Sequence, residues 1–200
     1  MKFLIATNNK KKLDELNRIL APLGVDAVTA KEVGVDLSSV EENGSTFSEN
    51  AYIKAKAAFD MVEGKYCVVA DDSGLCVDAL DGRPGVYSAR YGGENATDKD
   101  KINKLLSELD GVPTEERGAN FTCSICAIMS SGDVITSQGI CYGEIATSPV
   151  GDCGFGYDPI FMVKNKSFAQ LSNDEKDKLS HRGKALRQFK DKLVKFMEDK

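Results

Sequence analysis

The sequence predicts an α/β protein with a mixed central sheet flanked by helices. In the first half of the chain, short apolar segments typical of strands alternate with segments whose apolar residues recur at helical spacing. In the second half, two longer strand-type segments flank a short polar turn, which is typical of a hairpin. Ligands of such sheets bind at the ends of strands, where polar loops gather.

The elements before residue 71 follow from periodicity and from the residues that begin and end helices. Thr46-Phe47-Ser48-Glu49 has the capping-box form, in which the threonine and glutamate side chains bind free backbone amides, so we predict a helix from Thr46 to about Met61. The other elements of this half are a strand at Leu4–Ala6, a helix with Leu13, Leu16, Ile19 and Leu20 at helical spacing that ends at Gly24, a strand at Val25–Thr29, a polar loop at 31–45, and a strand at Tyr66–Ala70 that ends at Asp71.

After residue 71 the pattern changes to longer strands. Phe121–Met129 and Val134–Ile145 flank the polar segment Ser130-Ser131-Gly132-Asp133 and predict a hairpin. The other elements of this half are extended chain at Leu75–Leu80, a turn at Gly82–Gly85, a helix from Thr97 that Gly111 and Pro113 close, a capping box at Ser172–Glu175, and a final helix that buries Leu186, Phe189, Leu193 and Met197.

Composition limits the class of protein. The chain has 200 residues, 42% of them hydrophobic, which suits one globular domain or two joined lobes. The formal net charge of −5 argues weakly against duplex nucleic acid as the main partner, because phosphate contacts favour basic proteins. The apolar run Phe3–Ala6 is too short for a signal peptide, and no segment approaches the ~20 apolar residues of a membrane span. We therefore expect a cytoplasmic protein whose cysteines are reduced.

Cys123-Ser124-Ile125-Cys126 has the spacing of a metal-binding or redox pair. The segment is rich in residues that favour strands, and residues three apart in a strand point to opposite faces. The chain has one histidine and no second pair of this kind. A zinc or redox role is therefore disfavoured.

Thr7-Asn8-Asn9-Lys10-Lys11-Lys12 lies where the first strand meets the first helix. Unpaired amides and the positive end of the helix dipole favour an anion there, and these side chains add donors for phosphate oxygens. Three cations in a first turn oppose the dipole and need compensation, for which a bound polyphosphate is one candidate. An asparagine N-cap followed by solvated lysines explains the segment equally well. The segment lacks the glycines of a Walker A loop.

Asp71-Asp72 follows a strongly apolar strand. Adjacent carboxylates repel each other, and Mg²⁺ binds in proteins through one or two carboxylates together with phosphate oxygens of the substrate. Glu41 and Glu42 could complete the acidic set. The alternatives are a turn with an aspartate cap at Asp71-Asp72 and a solvated loop at Glu41-Glu42.

Two further segments are candidates for binding. The glycine-rich run from Gly151 to Pro159 implies tight turns or a close approach to a ligand, and its aromatic residues could stack on a nucleobase. Ser180-His181-Arg182-Gly183 contains the single histidine, beside an arginine that could contact phosphate or a purine carbonyl. A lone histidine is more often structural.

Taken together, these segments resemble the inosine triphosphate pyrophosphatase family, whose members hydrolyse deaminated purine nucleotides. The resemblance covers nearly the whole chain, with six motifs in family order. They are Thr7-x-Asn9-x-x-Lys12, Glu42 with Gly44 and Thr46-Phe47-x-Glu49-Asn50-Ala51, Ala70-Asp71-Asp72-Ser73-Gly74-Leu75, Pro84-Gly85-Val86-Tyr87-Ser88-Ala89-Arg90-Tyr91, Gly154-Phe155-Gly156-Tyr157-Asp158-Pro159, and Ser180-His181-Arg182-Gly183. Asn8 departs from the small residue of many members, which is a minor difference because asparagine tolerates turn conformations.

The resemblance implies a single pyrophosphatase domain over residues 1–200, a homodimer, and a cleft between two α/β lobes. It implies that Asp72 is a metal ligand and the catalytic carboxylate, and that Glu42 shares the Mg²⁺. Ser73 would contact the phosphates, and the residues from Thr7 to Lys12 would hold the triphosphate. The nucleoside pocket would consist of Phe155, Gly156, Tyr157, Asp158, Lys176, His181 and Arg182.

Two other functions remain open from the sequence. One is a pyrophosphatase for modified pyrimidine nucleotides. The segments around Phe155–Asp158 and His181-Arg182 favour a purine substrate instead. The other is a non-catalytic nucleotide-binding or RNA-binding module. The acidic balance and the Asp71-Asp72 pair, which would repel nucleic-acid phosphates without a metal, disfavour that module.

Overall fold

The computed structural model describes residues 2–7, 9–21, 24–93 and 95–199, and for residues 19, 20 and 26 it describes the backbone alone. The strands are β1 (Lys2–Ile5), β2 (Asp26–Thr29), β3 (Cys67–Val77), β4 (Gly118–Ile128), β5 (Val134–Ile145), β6 (Phe161–Val163) and β7 (Lys166–Ser167). The α-helices are α1 (Lys10–Leu20), α2 (Phe47–Met61), α3 (Asp98–Glu108), α4 (Asn173–Leu179) and α5 (His181–Glu198).

The strands form one sheet of mixed direction in the order β2-β1-β3-β4-β5-β6-β7. β1 pairs in parallel with both β2 and β3, whereas β6 pairs antiparallel with both β5 and β7. The α/β fold with a mixed sheet is therefore confirmed. The predicted boundaries of β5 are those observed, and the short strands β6 and β7 were not predicted from the sequence.

Capping boxes begin three of the helices, and the sequence predicted those at Thr46 and Ser172. Thr46, Thr97 and Ser172 each accept a hydrogen bond from a backbone amide three residues later, and the acidic side chain at that later position accepts from the cap's own amide. These boxes satisfy donors that a helix start leaves free. They hold the starts of α2, α3 and α4.

Strand β3 corrects the prediction that the strand ends at Asp71. It continues without a break through Asp71, Asp72 and Ser73 to Val77, and both carboxylates are buried. The sequence favoured an end there because two charges are costly in a buried strand. The strand continues because cationic side chains from distant segments contact the carboxylate of Asp71, and the side-chain amide of Asn50 donates to that of Asp72.

The chain divides into two compact units. The first comprises Met1–Asp72, Cys123–Gly139 and Arg182–Lys200, and the second comprises Ser73–Thr122 and Ile140–His181. The predicted cleft between two lobes stays a prediction. Among the described residues, no helix is long and apolar enough to cross a membrane.

The core of the first unit consists of two clusters, each centred on alternate residues of β1. Phe3 and Ile5 belong to the cluster that contains Cys123, whereas Leu4 belongs to the cluster that contains Cys126. The two thiols therefore point to opposite faces of β4, as predicted for residues three apart in a strand. All six cysteines are free.

The final helix also belongs to the first unit and differs in one residue from the prediction. Leu186, Phe189 and Leu193 are buried, but Met197 is 54% exposed. Phe196 packs against the core in its place. Because a helix turns once every 3.6 residues, position 196 continues the face of Phe189 and Leu193, and position 197 lies further around.

The core of the second unit is a separate cluster rich in aromatic rings. Phe121 lies 4.7 Å from Phe161 and 5.9 Å from Phe168 between ring centroids, and Phe161 and Phe168 are fully buried. Leu105 and Leu109 from α3 and the residue after it complete the packing. This cluster supports the glycine-rich loop and the start of α5.

Candidate active site

The two adjacent carboxylates in β3 lie in different surroundings, because successive side chains of a strand point to opposite faces. Asp71 contacts the buried thiol of Cys123, whose sulfur lies 4.0 Å from Oδ2. Asp72 faces helix α2, where the side-chain amide of Asn50 donates to its Oδ2 at 3.1 Å. The two carboxylates therefore have different contacts.

Asp71 lies in a buried cluster of charged side chains. The Lys12 ammonium lies 3.0 Å from its Oδ2, and Nη2 of Arg182 lies 3.4 Å from the same oxygen. Asp71 is 1% exposed, and burial alone would raise its pKa, but the charges of Lys12 and Arg182 outweigh burial and hold the pKa well below its usual range. Asp71 is therefore a stable carboxylate anion at neutral pH.

Arg182 links this cluster to helix α1. It is 3% exposed, and its guanidinium donates to Asp71 and to the carboxylate of Glu15. Burial opposes the charge of Arg182, but the two carboxylates outweigh burial and raise its pKa. Glu15 was not predicted from the sequence, because its exposure and its partner depend on the tertiary fold.

Asp72 is shifted in the opposite direction. Burial raises its pKa, and the charge of Glu42 raises it further, while Lys54 and Lys12 act against this shift. A carboxylate with a raised pKa binds a proton more readily than an ordinary aspartate. Two neighbouring carboxylates with opposite pKa shifts are typical of a site that does chemistry.

Lys54 completes the surroundings of Asp72 and was missed by the sequence analysis. Its ammonium lies 2.8 Å from Oε2 of Glu42 and donates at 3.1 Å to the backbone carbonyl of Asp71. Asn50 and Lys54 are four residues apart on α2 and therefore share one face of that helix. Two polar side chains at this spacing, among the buried alanines of α2, are a signal that the sequence contains.

The carboxylates of Glu42 and Asp72 fit a magnesium ion. They are close enough for the charge of one to raise the pKa of the other, and Glu42 is half-buried. Among the residues that the structure describes, no group of three or more His, Cys, Asp or Glu side chains could hold a metal ion. Mg²⁺ binds through one or two carboxylates and completes its shell with water and substrate phosphates, which matches this pair.

The segment before α1 is placed at the helix start, as predicted. Asn9 is the N-cap, and its side chain accepts from the backbone amides of Lys11 at 3.0 Å and Lys12 at 3.3 Å. The hydroxyl of Thr7 accepts from the amide of Asn9 at 3.2 Å. Lys10 and Lys11 are exposed. Asn8 lies outside the described residues.

The contacts of this segment explain why three lysines are tolerated in the first turn of α1. The asparagine cap that the sequence allowed is present. Asp71 compensates the charge of Lys12, so the lysine run does not need a bound polyphosphate in order to fold. Binding of a triphosphate by this segment stays a prediction.

In the second unit, three predicted residues of the nucleoside pocket lie together. The carboxylate of Asp158 accepts from the amide of Phe155 at 2.8 Å and from the ammonium of Lys176 at 2.8 Å. The same ammonium lies 4.8 Å from the centroid of the Phe155 ring. Lys176 is 7% exposed, so Asp158 balances its charge and directs it over the ring.

Other predicted residues of the pocket have structural contacts. His181 stacks on Phe121 at 4.7 Å with an interplanar angle of 12°. The buried hydroxyl of Tyr157 donates to the carbonyl of Ser88 at 3.0 Å. Gly156 has a positive φ of 60°. Gly156 and Ser73 are both half-buried. Direct contact of these residues with a substrate stays a prediction.

Arg182 was predicted to belong with these residues, but its side chain binds Glu15 and Asp71 in the first unit. His181, one residue earlier, stacks within the second unit. The contacts of Arg182 give its guanidinium a structural role in the charged cluster. Its predicted contact with a purine stays a prediction.

Comparisons with known proteins agree with one another. A family model described as the Ham1 family matches residues 3–192. The chain is 45% identical over 198 residues to a dITP/XTP pyrophosphatase of Clostridium perfringens, covering 96% of this chain and 97% of the relative. It is 47% identical over 197 residues to a dITP/XTP pyrophosphatase of Bacillus subtilis, covering 98% and 96%. A solved HAM1 protein from Coxiella burnetii is 39% identical, with a TM-score of 0.88 over 98% of this chain and 99% of that one.

Proposed function

The chain belongs to the Ham1 family, and on that premise we propose that it hydrolyses deaminated purine nucleoside triphosphates, namely ITP, dITP and XTP, to the monophosphate and pyrophosphate. The names of the relatives from Clostridium perfringens and Bacillus subtilis support this substrate class. The observation that supports the reaction is the pair of carboxylates with opposite pKa shifts, Asp71 and Asp72. This reaction would remove such nucleotides from the pool.

Glu42 and Asp72 would hold a magnesium ion, which supplies positive charge beside the substrate phosphates when it is bound. Lys54 lies beside Glu42 and the carbonyl of Asp71 and would keep the two carboxylates in place. The donors of Thr7, Asn9, Lys10, Lys11 and Lys12 at the start of α1, with Asn8, would hold the triphosphate. Ser73 would contact the phosphates.

Asp72 would orient the attacking water and accept its proton. The water oxygen bonds to the α-phosphorus, the bond between the α-phosphorus and the bridging oxygen breaks, and pyrophosphate leaves with the electron pair. The raised pKa of Asp72 makes its carboxylate a better proton acceptor than an ordinary aspartate. Lys12 would stabilise negative charge on the departing pyrophosphate.

Phe155, Gly156, Tyr157, Asp158, Lys176, His181 and Arg182 would shape the nucleoside pocket. The ring of Phe155 is proposed to stack on the purine, beside the Lys176 ammonium. A cationic donor aimed at the 6-oxo group would face a donor if adenine were bound, and a buried donor without an acceptor is costly. The pocket would therefore reject adenine.

We further propose that residues 1–200 act as a single pyrophosphatase domain, that two copies form a homodimer, and that the protein is cytoplasmic. The family resemblance supports the domain and the dimer. Six free cysteines support a reducing compartment. Size-exclusion chromatography with light scattering measures the oligomeric state directly.

The reaction is tested by incubating the protein with ITP, XTP, dITP, ATP, GTP and dTTP, with and without Mg²⁺, and separating the products. We expect IMP or XMP with pyrophosphate, dependence on Mg²⁺, and little product from ATP and GTP. Diphosphate with orthophosphate would show that a different bond is cut. Turnover of a pyrimidine nucleotide alone, or binding of RNA without turnover, would replace the proposal with one of the two other functions that the sequence allows.

A further inference from the structure

The loop that carries Phe155 is held by carboxylates at two consecutive amides. The amide of Phe155 donates to Asp158 at 2.8 Å, and the amide of Gly156 donates to Oδ2 of Asp98 at 2.7 Å. These two amides flank the α-carbon of Phe155 on either side. Fixing both peptide planes fixes φ and ψ of Phe155, and with them the direction in which its ring leaves the backbone.

The two carboxylates come from different parts of the chain. Asp158 is three residues from Phe155, whereas Asp98 is the first residue of α3 and is separated from Gly156 by 58 positions. A contact within the loop keeps its local shape, but it does not locate the loop relative to the rest of the second unit. The bond from Asp98 does so.

Asp98 is itself held in place. Its second oxygen, Oδ1, lies 2.7 Å from the ammonium of Lys101, which is 13% exposed, and the capping box of Thr97 and Asp100 orders the start of α3. The carboxylate of Asp98 is 46% exposed, so its bond to Gly156 lies at the protein surface and not in the core. A rigid helix end thus presents one carboxylate oxygen to the loop.

The loop borders a cavity beside this bond. Asp98, Ile102 and Asn103 line the cavity of about 400 Å³ together with residues 151–156. A loop that borders a cavity makes few packing contacts across it, so its position depends strongly on individual hydrogen bonds. A hydrogen bond with a charged acceptor is stronger than a neutral one.

From this geometry we propose that Asp98 is a positioning residue for the nucleobase. It holds the amide of Gly156 and so keeps the ring of Phe155 in the orientation that stacks on the purine. This inference rests on the proposed function, because it assigns the nucleobase to Phe155. It assigns no contact between Asp98 and the substrate, and the carboxylates and lysines of the first unit are untouched by it.

The first test measures loop order without any substrate. The chain contains no tryptophan, so Phe155→Trp places a single tryptophan in the loop, which is excited selectively at a wavelength that tyrosine does not absorb. We expect Asp98→Ala in this background to raise the acrylamide quenching constant about twofold, because the loop opens locally. Asp110→Ala is the control, since it removes an exposed acidic residue just after the end of α3 but leaves the capping box of Thr97 and the bond to Gly156 intact. An increase of the same size in both variants would overturn the inference.

The second test measures turnover in the protein with Phe155 intact. We expect Asp98→Ala to raise KM for ITP about tenfold, equivalent to about 1.4 kcal/mol, with a much smaller change in kcat. Asp98→Asn keeps an oxygen that accepts from Gly156 and should recover most of the loss. An unchanged KM in Asp98→Ala, or a fall in kcat alone, would overturn the inference.

The two tests separate this inference from the proposed function. If the unmodified protein does not hydrolyse ITP, the proposed function is wrong, while the quenching comparison still decides whether Asp98 orders the loop. If the protein hydrolyses ITP and Asp98→Ala behaves as Asp110→Ala does, the positioning role is wrong and the function stands. If Asp98→Ala does not fold, hydrogen exchange of the Gly156 amide in the unmodified protein is measured instead: the bond to Asp98 predicts slow exchange, and exchange as fast as in an unstructured peptide would overturn the inference.

Discussion

Replacing Asp71 or Asp72 with its isosteric amide is expected to have different effects on the stability of the protein. Asp71→Asn should lower the free energy of unfolding, and Asp72→Asn should leave it unchanged or raise it. The substitutions are neighbours in β3 and have the same chemistry and nearly the same volume. A difference between them therefore reports the surroundings of each carboxylate and not the strand.

The expected loss for Asp71→Asn follows from its partners. Asp71 binds Lys12 at 3.0 Å and Arg182 at 3.4 Å, and Arg182 is 3% exposed. Removing one partner of a buried ion pair costs about 3–5 kcal/mol, because the other charge stays buried. Glu15 still binds Arg182, and Lys12 is partly exposed, so we expect the lower end, about 3 kcal/mol. For a chain of this length that corresponds to a fall in Tm of roughly 6–12 °C.

The expectation for Asp72→Asn differs in sign. Burial and the charge of Glu42 raise the pKa of Asp72, so its ionised form is less stable in the folded protein than in the unfolded chain. The neutral amide removes this penalty, and its oxygen can still accept from Asn50. We expect the free energy of unfolding to be unchanged or to rise by up to about 1 kcal/mol. Turnover of ITP should fall by about 10²–10⁴-fold.

Urea unfolding followed by circular dichroism gives both free energies at pH 7, and the turnover of ITP is measured on the same preparations. Asp60→Asn is the control, because Asp60 pairs with Lys56 at 2.6 Å but is 58% exposed, and its loss should change stability by less than about 0.5 kcal/mol. The reasoning is refuted if Asp71→Asn costs no more than Asp60→Asn, or if a folded Asp72→Asn protein keeps near-normal turnover.

Three further predictions follow from the same structure. The pKa of Asp71 is held low in the folded protein because nearby cations outweigh burial. Its contribution to stability is therefore complete above its unfolded pKa of about 3.9 and is lost as the pH falls through its folded pKa. Urea titrations should show a constant difference in the free energy of unfolding between the unmodified protein and Asp71→Asn from pH 7 to about 5, and a smaller difference below about pH 4. Lys54→Gln should lower kcat by about 10–100-fold in a steady-state assay, whereas Lys56→Gln, on the exposed side of the same helix, should not, and equal effects would contradict the role of Lys54. Cys153 is the exposed thiol and should react first with a disulfide reagent, so Cys153→Ser should abolish the fast phase, and a fast phase that persists would contradict the assignment.

Much of the fold was predictable because it depends on local patterns. The capping box at Thr46 and the apolar periodicity of α1 and α5 each appear within a few residues of sequence. The hairpin of β4 and β5 was predictable from a polar turn between two strand-type segments. The short strands β6 and β7 have only three and two residues, which is too few for a periodic signal.

The extent of β3 was not predictable from local patterns. Asp71 ends an apolar run in the sequence, and carboxylates seldom occur in the middle of a buried strand. The partners that make it possible, Lys12 and Arg182, are far from Asp71 in sequence. The local sequence indicates the cost of burying the charge but not the cations that offset this cost.

The candidate site shows the same division between local and distant information. The residue types indicated a metal site at Asp71-Asp72 that Glu41 and Glu42 could complete, and the family resemblance implied Glu42 and Asp72 as the ligands. The structure brings the charges of Glu42 and Asp72 close together. Lys54 was missed although its spacing from Asn50 was visible, because lysine on a helix is usually a solvated residue. Which face of α2 meets β3 is a tertiary fact, and it decides that Lys54 lies beside Glu42.

The order of the segments along the chain decides which of the two compact units can be completed first during synthesis. All segments of the second unit precede residue 182, whereas the first unit still needs α5. A nascent chain therefore carries the β1 and α1 surfaces without Leu186 and Phe189 to cover them, and Asp71 without its arginine, until α5 has been translated. A stop codon after residue 181 is expected to leave a product that quality-control proteases degrade, which pulse-chase labelling of such a truncation would show.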